Sequence, residues 1–424
     1  MKATSLALDQ LMRGVGDPLA QLHGIAPGDA EYGRAQLIRI AIGILTKSPA
    51  SFDAIAAAIG TFDAPTQSPL VRSHLAAAEA WIAGNPVLAA ECYASILAKW
   101  PRDLLALRLA QSCFFYLGWH HRLCEVVDAL IPAWPHDGRG FGFVLAIASY
   151  AHAENGDAAL AEMLGRQALA IDAACPLGVH AVAHAIAESG RPADGARWMR
   201  DQVAHWAAES RMRSHNAWHL AMFDAAQGNV ASAIGILDGW LLPASAASLP
   251  DACDATALLE RLSADGVDDA GRWRRISDAF EANAMPGFWP YVDLHAAIAH
   301  LSAGNAARVQ ALSQAIDRSA QGNDYAALRA RHVTRPALRA LRAWTAGRHA
   351  QAVDLFADLQ PILAEMGGSH IQLDIFRRIE QDARRRRGRE NTAPLPRVDT
   401  KRSGHDSSRL WKSLAARPLV EAVI

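Results

Sequence analysis

Around Gly228 the apolar positions fall at helical steps on both sides. Trp218, Ala221, Met222 and Ala225 precede the glycine, and Ala231, Ile234, Leu237 and Leu241 follow it. Steps of three and four residues place each set on one face of a helix, so this stretch reads as two amphipathic helices joined at a glycine turn. The same phrase recurs along the chain: WIAGN at Gly84, FYLGW at Gly118, HAENGD at Gly156, AESGRP at Gly190, AAQGNV at Gly228, SADGVD at Gly266, LSAGN at Gly304 and WTAGRH at Gly347. Successive glycines are 34, 38, 34, 38, 38, 38 and 43 residues apart. A helix hairpin repeated at this interval cannot bury its apolar face alone, so stacked neighbours must supply the core.

A period near 34 residues is that of tetratricopeptide repeats, in which a glycine ends the first helix of each hairpin. Alanine is abundant at the periodic positions, which lets helices approach closely, and β-branched runs of strand length are absent. Second helices end on aromatic-proline signals at Trp100-Pro101 and Trp134-Pro135. The expected fold is all-α: a right-handed α-solenoid, or superhelix, of tetratricopeptide-like helix-turn-helix repeats. The array should occupy residues 30–383, after an N-terminal segment at 1–29. Residues 384–408 open on four arginines and continue rich in proline, serine, threonine and charge, which predicts a basic linker without a core of its own. Residues 409–424 carry a short amphipathic pattern that predicts a final helix.

Composition changes this picture little. The chain has 424 residues, 51% hydrophobic and 20% charged, with a formal net charge of −1. That balance gives no overall bias toward nucleic acid or acidic lipid, and the arginine run reads as a solvated helix end that complements the helix dipole. The most apolar stretch, Phe141 to Ala153, is too short to cross a bilayer. The N-terminus lacks the apolar run and small-residue cleavage site of a secretory signal. Five cysteines (Cys92, Cys113, Cys124, Cys175 and Cys253) form no CxxC pair and sit in apolar surroundings, as expected of reduced thiols in a cytoplasmic protein.

Candidate chemistry comes from register. His180 lies ten residues before Gly190, His219 nine before Gly228 and His295 nine before Gly304, so three first helices carry histidine at nearly one depth. First helices line the concave face of such a superhelix, which makes convergence expected. His180 and His184, and likewise His215 and His219, stand four apart and share a helix face. Asp254, twelve before Gly266, falls near the same stripe, whereas Asp293 points away from it. Trp218 is expected on the far side of its helix, against a partner helix. The set admits several chemistries: a divalent metal held by imidazoles with Asp254 as oxygen ligand, general acid–base work near neutral pH, or hydrogen bonding to a small polar ligand. It also admits a satisfied polar network between stacked helices. No HExxH, GxSxG, phosphate loop or Cys-His pairing accompanies it, and GRGFG at Gly138 to Gly142 lacks a preceding strand. A divalent metal is the only cofactor these side chains suggest.

The chain resembles the tetratricopeptide repeat protein 38 family. The resemblance is carried by DLLALRLAQSCFFYLG (Asp103 to Gly118), VHAVAHAIAE (Val179 to Glu188), SHNAWHLAMF (Ser214 to Phe223), DATALLERLSADGVD (Asp254 to Asp268) and GGSHIQLDIF (Gly367 to Phe376). It departs from the family pattern at Val292, where asparagine is expected, and at Leu373, where arginine is expected. The resemblance implies a helical-repeat fold and brings no established reaction. Two function classes stay open: a histidine-lined pocket for a small polar ligand, bound or converted, with His180, His184, His215, His219, Asp254 and His295 as its residues, and a scaffold that holds a peptide in its concave groove. Grooves that capture a peptide carboxylate use lysine, arginine and asparagine, and the histidine-rich stripe here favours the first class.

Overall fold

The computed structural model describes residues 2–387, apart from 64–65, 136–137, 208–209, 243–246, 265, 268 and 284. Among these residues the regular structure is helical. The chain opens with α1 (Ala3–Arg13), α2 (Tyr32–Leu45) and α3 (Phe52–Ile59). Hairpins follow as α4 (Pro69–Ile82) with α5 (Pro86–Lys99), α6 (Leu104–Leu117) with α7 (His120–Leu130), α8 (Arg139–Glu154) with α9 (Ala158–Ile171), and α10 (Pro176–Glu188) with α11 (Pro192–Asp201). A single turn, α12 (Val203–Trp206), leads to α13 (Arg213–Ala226) with α14 (Val230–Ile236), then α15 (Leu249–Ala264) with α16 (Ala270–Asn283). The array ends with α17 (Pro290–Ser302), α18 (Ala306–Ser319), α19 (Tyr325–Arg329), α20 (Arg335–Thr345), α21 (His349–Leu359) and α22 (His370–Arg386). It is an α-solenoid of tetratricopeptide-like hairpins.

The recurring phrase has a two-part cause. All eight repeat glycines take positive φ, from 67° to 93°, a conformation that ends a helix and costs a β-carbon dearly. The next residue then starts the partner helix: Asn85, Asp157 and Asn305 each accept a backbone N–H three residues on. At these three turns glycine stops one helix and the Asn or Asp after it caps the next, so a two-residue turn reverses the chain.

Two large hydrophobic cores result, one built from residues up to Ala181 together with Tyr325 and one from Trp218 onward, with a smaller cluster around Met199, Trp206 and Phe223 between them. Helices α10 and α13 sit at that junction.

The concave face is occupied by the chain's own C-terminal region. Gly368 donates its N–H to the Phe115 carbonyl (3.2 Å), and its carbonyl lies 2.9 Å from His120 Nε2. Trp289 Nε1 donates to the Met366 carbonyl at 3.0 Å, and Arg378 Nε reaches Glu260 at 3.2 Å. Apart from His120, which opens a second helix at the turn after α6, these contacts come from the first helices of hairpins or their leading residues, so residues 366–378 run along the inner surface. At the other end, Arg13 donates to the Ala174 carbonyl and Gly14 accepts from Arg211 N–H, which ties α1 to the starts of α10 and α13.

The arginine run forms the last turn of α22, with Arg384 on Glu380 and Arg386 on Asp382. The linker expected from residue 384 therefore begins inside a helix, while the rest of it and the helix expected at 409–424 lie outside the described residues. No described helix is long and apolar enough to cross a membrane.

Candidate metal centre

Proline at the first position of α10 and the tight Ser210–Arg213 turn before α13 fix where these two helices begin. Each then carries histidines four apart, and the helices pack so that both pairs face one point. Ligand-type ring nitrogens of His180, His184, His215 and His219 all lie within 4.8 Å of one another. His180 Nε2 is 2.9 Å from His184 Nε2 and 3.1 Å from His215 Nε2. Three of the rings are buried, and the His215 side chain keeps 19% of its surface exposed, which marks the side from which solvent reaches the cluster.

Two carboxylates set the tautomers. Glu154, the last residue of α8, accepts from His184 Nδ1 at 2.8 Å, and Asp254 on α15 accepts from His215 Nδ1 at 2.6 Å. A carboxylate can only accept, so both Nδ1 atoms carry hydrogen and the neutral rings present lone pairs at Nε2. His180 Nε2 faces both lone pairs and has at most one hydrogen to give. With neutral rings, at least one of its two close contacts therefore has no hydrogen between the nitrogens. His219 Nε2 and His180 Nδ1 are buried with no hydrogen-bond partner among the described residues.

Electrostatics act differently on the members of the cluster. Burial, reinforced by the neighbouring imidazoles, holds His180 and His219 well below the ordinary histidine range. Burial also pulls His215 down, but the Asp254 carboxylate outweighs it and the net shift is upward. Burial would raise Glu154; the charges and hydrogen bonds of His370, His184 and His120 overcome it and bring the carboxyl down to about 2. An imidazole whose Nδ1 donates to a carboxylate, as in His184 and His215, is the arrangement that metal-ligating histidines adopt.

A second layer fixes the first. Glu154 takes the His370 backbone N–H on its other oxygen (2.7 Å), and Asp254 takes Gln372 Nε2 at 3.4 Å. Both carboxylates are thus held by the first turn of α22, which a Ser369–Gln372 capping box locks in place. Tyr150 stacks on His180 (6.0 Å, 18°) and meets His184 edge-on, with its hydroxyl unpartnered among the described residues.

Several positions differ from the register argument. Asp254 bonds to a histidine, so it backs a ligand rather than standing in the cluster as an oxygen donor. His295 is fully buried but outside the group: its Nδ1 donates to the Tyr291 carbonyl (2.7 Å), and its ring packs on Tyr291 and Phe376. Trp218, expected to turn away, stacks on His215 at 5.2 Å and 16° and meets His219 at 4.9 Å. Trp218 follows His215 by three residues on the same helix, a spacing that brings the two side chains side by side. Sequence reasoning missed Glu154, Tyr150 and Gln372. The signal for Glu154 was a lone acid ending the otherwise apolar run of α8. A cavity lined by Phe52, Trp81, Tyr116, Phe288, Asp324 and Tyr325 lies in another part of the array and contains none of these histidines.

No family model matches the chain. Solved structures that resemble it include the Cut9–Hcn1 hetero-tetramer of the APC/C, at 11% identity and TM-score 0.43, covering 89% of this chain and 69% of that one. Another is the human IFIT1 dimer with m7Gppp-AAAA, also at 11% identity and TM-score 0.43, covering 98% of this chain and 95% of that one. At these values the likeness transfers no ligand, and the architecture rests on this chain's own hairpins.

Proposed function

We propose that this protein is a metalloprotein whose solenoid is wound around a four-histidine site for a divalent transition metal. The observation that carries the reading is His180 Nε2 set between two nitrogens whose lone pairs are fixed by Glu154 and Asp254. A cation turns these competing lone pairs into ligands. Around a tetrahedral ion with bonds of about 2.0–2.1 Å, neighbouring nitrogens stand about 3.3–3.4 Å apart, close to the 2.9 and 3.1 Å observed. Charge agrees as well, because one divalent ion balances two buried carboxylates. An all-imidazole donor set suits zinc, copper, iron, cobalt or nickel and not calcium or magnesium.

The site then serves a small polar ligand, which enters past His215. A bound ion polarises an oxygen coordinated to it or lowers the pKa of bound water. Around it this chain's residues would orient the ligand (Trp218, Tyr150), fix the imidazole tautomers (Glu154, Asp254) and exclude bulk water (α22). The peptide-groove reading has less room, because residues 366–378 already lie along the inner face.

Membership of the tetratricopeptide repeat protein 38 family is part of the same proposal. Four of the five segments that carry the resemblance supply His180, His184, His215, His219, Asp254, His370 and Gln372, so most of the recognisable parts of the sequence meet at the site. The free cysteines fit the reducing cytoplasm proposed as its location.

The test is metal analysis of wild type and His219→Ala after loading with zinc and gel filtration. Near-stoichiometric metal in wild type and loss in the variant support the site. Without a metal role the cluster is a hydrogen-bonded network, and His219→Ala costs about 1–3 kcal/mol of stability in a protein that never held metal.

A further inference from the structure

The cavity that contains none of the histidines has a volume of about 310 Å³ and lies where distant parts of the chain meet. Phe52 comes from the start of α3, Trp81 from the end of α4 and Tyr116 from the end of α6. Phe288 comes from the approach to α17, and Asp324 and Tyr325 from the start of α19. Backbone closes this seam, because the Tyr325 N–H donates to the Gly84 carbonyl at 3.3 Å. Tyr116 is central among the rings, 5.4 Å from Trp81, 5.8 Å from Phe288 and 6.5 Å from Tyr325, and Phe52 meets Phe288 edge-on at 6.1 Å. Neighbouring rings are tilted by 39° to 74°, so they enclose a space instead of stacking flat.

The charged side chain in this wall is the carboxylate of Asp324. It is exposed while Trp81, Tyr116 and Tyr325 are buried, so it marks the solvent side of the cavity. Its Oδ1 accepts the Ala327 N–H at 2.8 Å, which caps α19 and fixes the carboxylate in place. Nearby polar groups are already engaged: the Tyr116 hydroxyl donates to the Phe288 carbonyl at 3.0 Å, and the Gly84 carbonyl accepts from Tyr325. What the wall offers is therefore ring faces and one carboxylate. A ring face is the negative end of its quadrupole and attracts a cation within about 6 Å. Two of these rings already do so. Arg329, fully buried and outside the lining, holds its guanidinium 4.8 Å from the Tyr116 ring and 5.2 Å from the Tyr325 ring. Its charge disfavours a second cation beside those two rings. Among the described residues no side-chain cation lies over Phe52, Trp81 or Phe288, which leaves them as the receiving side. A primary ammonium brings three N–H donors that this wall cannot satisfy, whereas a fully alkylated nitrogen brings none and packs its methyl groups on the rings.

We propose that this cavity is a binding site for a small organic cation with a fully alkylated ammonium group, received by Phe52, Trp81 and Phe288 and balanced by Asp324. The volume is at the lower end of the about 300–1,000 Å³ of small-molecule sites, which suits a compact cation. The site is separate from the histidine cluster and does not depend on whether that cluster binds metal.

The test is calorimetric titration of full-length protein, with and without zinc, using choline and dimethylbutanol, the uncharged isostere with carbon in place of nitrogen. Choline should bind equally in both preparations and at least tenfold more tightly than the alcohol. Asp324→Asn keeps a capping side chain on α19 and should weaken choline at least threefold while leaving the alcohol unchanged. Phe52→Leu, at a half-buried position, should weaken choline by a similar factor with an unchanged melting temperature. No saturable choline binding at millimolar concentration, equal affinity for the alcohol, or choline affinities unchanged in both variants would overturn the proposal. Binding that appears only with zinc would place the ligand at the histidines and overturn it as well. A peptide bearing one trimethyl-lysine is the third probe: binding tenfold tighter than choline would assign the cation to a protein partner and overturn the small-molecule assignment.

Discussion

Glu154→Gln is the perturbation that separates a metal centre from a packed polar core. The carboxylate is completely buried and accepts two hydrogen bonds, from His184 Nδ1 at 2.8 Å and from the His370 N–H at 2.7 Å. Glutamine has the same shape but one acceptor oxygen and one donor nitrogen. Whichever way the amide turns, its NH2 faces a donor: His184 loses its tautomer lock, or the first turn of α22 loses its anchor. Loss of an outer-layer partner of this kind lowers metal affinity about 10–100-fold, or about 1.4–2.7 kcal/mol. The mismatched donor pair adds about 1–3 kcal/mol of lost stability even without metal. Affinity is read by competition with a chromophoric chelator and stability by urea denaturation of the metal-free protein. Glu162→Gln is the control, because Glu162 pairs with Arg166 and Arg191 at the surface, where such contacts contribute about 0–1 kcal/mol. Metal affinity within twofold of wild type in Glu154→Gln would refute the second-layer role of this carboxylate.

Other expectations follow from the same geometry. At Gly118 an added β-carbon would lie 1.9 Å from the Ala364 carbonyl oxygen, whereas at Gly228 nothing lies within 4 Å, and both glycines have φ above 70°. Each alanine variant should lose about 1–2 kcal/mol from left-handed strain, and Gly118→Ala clearly more; equal losses by urea denaturation would mean that residues 360–368 do not pack on α6. Burial holds the His295 pKa at about 4, against about 6.5 in the unfolded chain. The unfolded state therefore takes up the proton first, so this contribution is complete above pH 6.5 and declines toward pH 4, by at most about 3 kcal/mol. Metal-free His295→Gln should lose stability less steeply than wild type over that window, and identical slopes would contradict the buried neutral ring. Trp218→Leu, which removes the ring stacked on His215, should keep the metal; metal analysis that shows its loss instead would move Trp218 from the ligand to the fold.

Much of this was readable before the structure, and the reasons are physical. The hairpins were legible because a glycine in a left-handed turn between two amphipathic helices is a local device, repeated at intervals of 34 to 43 residues. The two histidine pairs were legible because i,i+4 spacing fixes a shared face without any tertiary knowledge. His295 shows where register stops being informative. It matches His219 in depth, yet α17 is offset by the α15–α16 hairpin between them, and the ring turns to the carbonyl of its own helix at Tyr291. The partners of Glu154 and Gln372 were not legible for a related reason. They are 30 and 118 residues away, and only the return of the C-terminal region along the concave face brings α22 to both carboxylates.

The central claim is that four imidazoles share one metal ion. X-ray absorption at the metal edge, on protein reconstituted with zinc and freed of excess by gel filtration, tests it most directly. The account predicts about one ion per chain, with imidazole scattering and metal–nitrogen distances of about 2.0–2.1 Å, and loss of that signal in His184→Ala and His219→Ala. Protein that retains no zinc, cobalt, nickel, copper or iron after reconstitution, or a zinc spectrum unaltered by both substitutions, would contradict it.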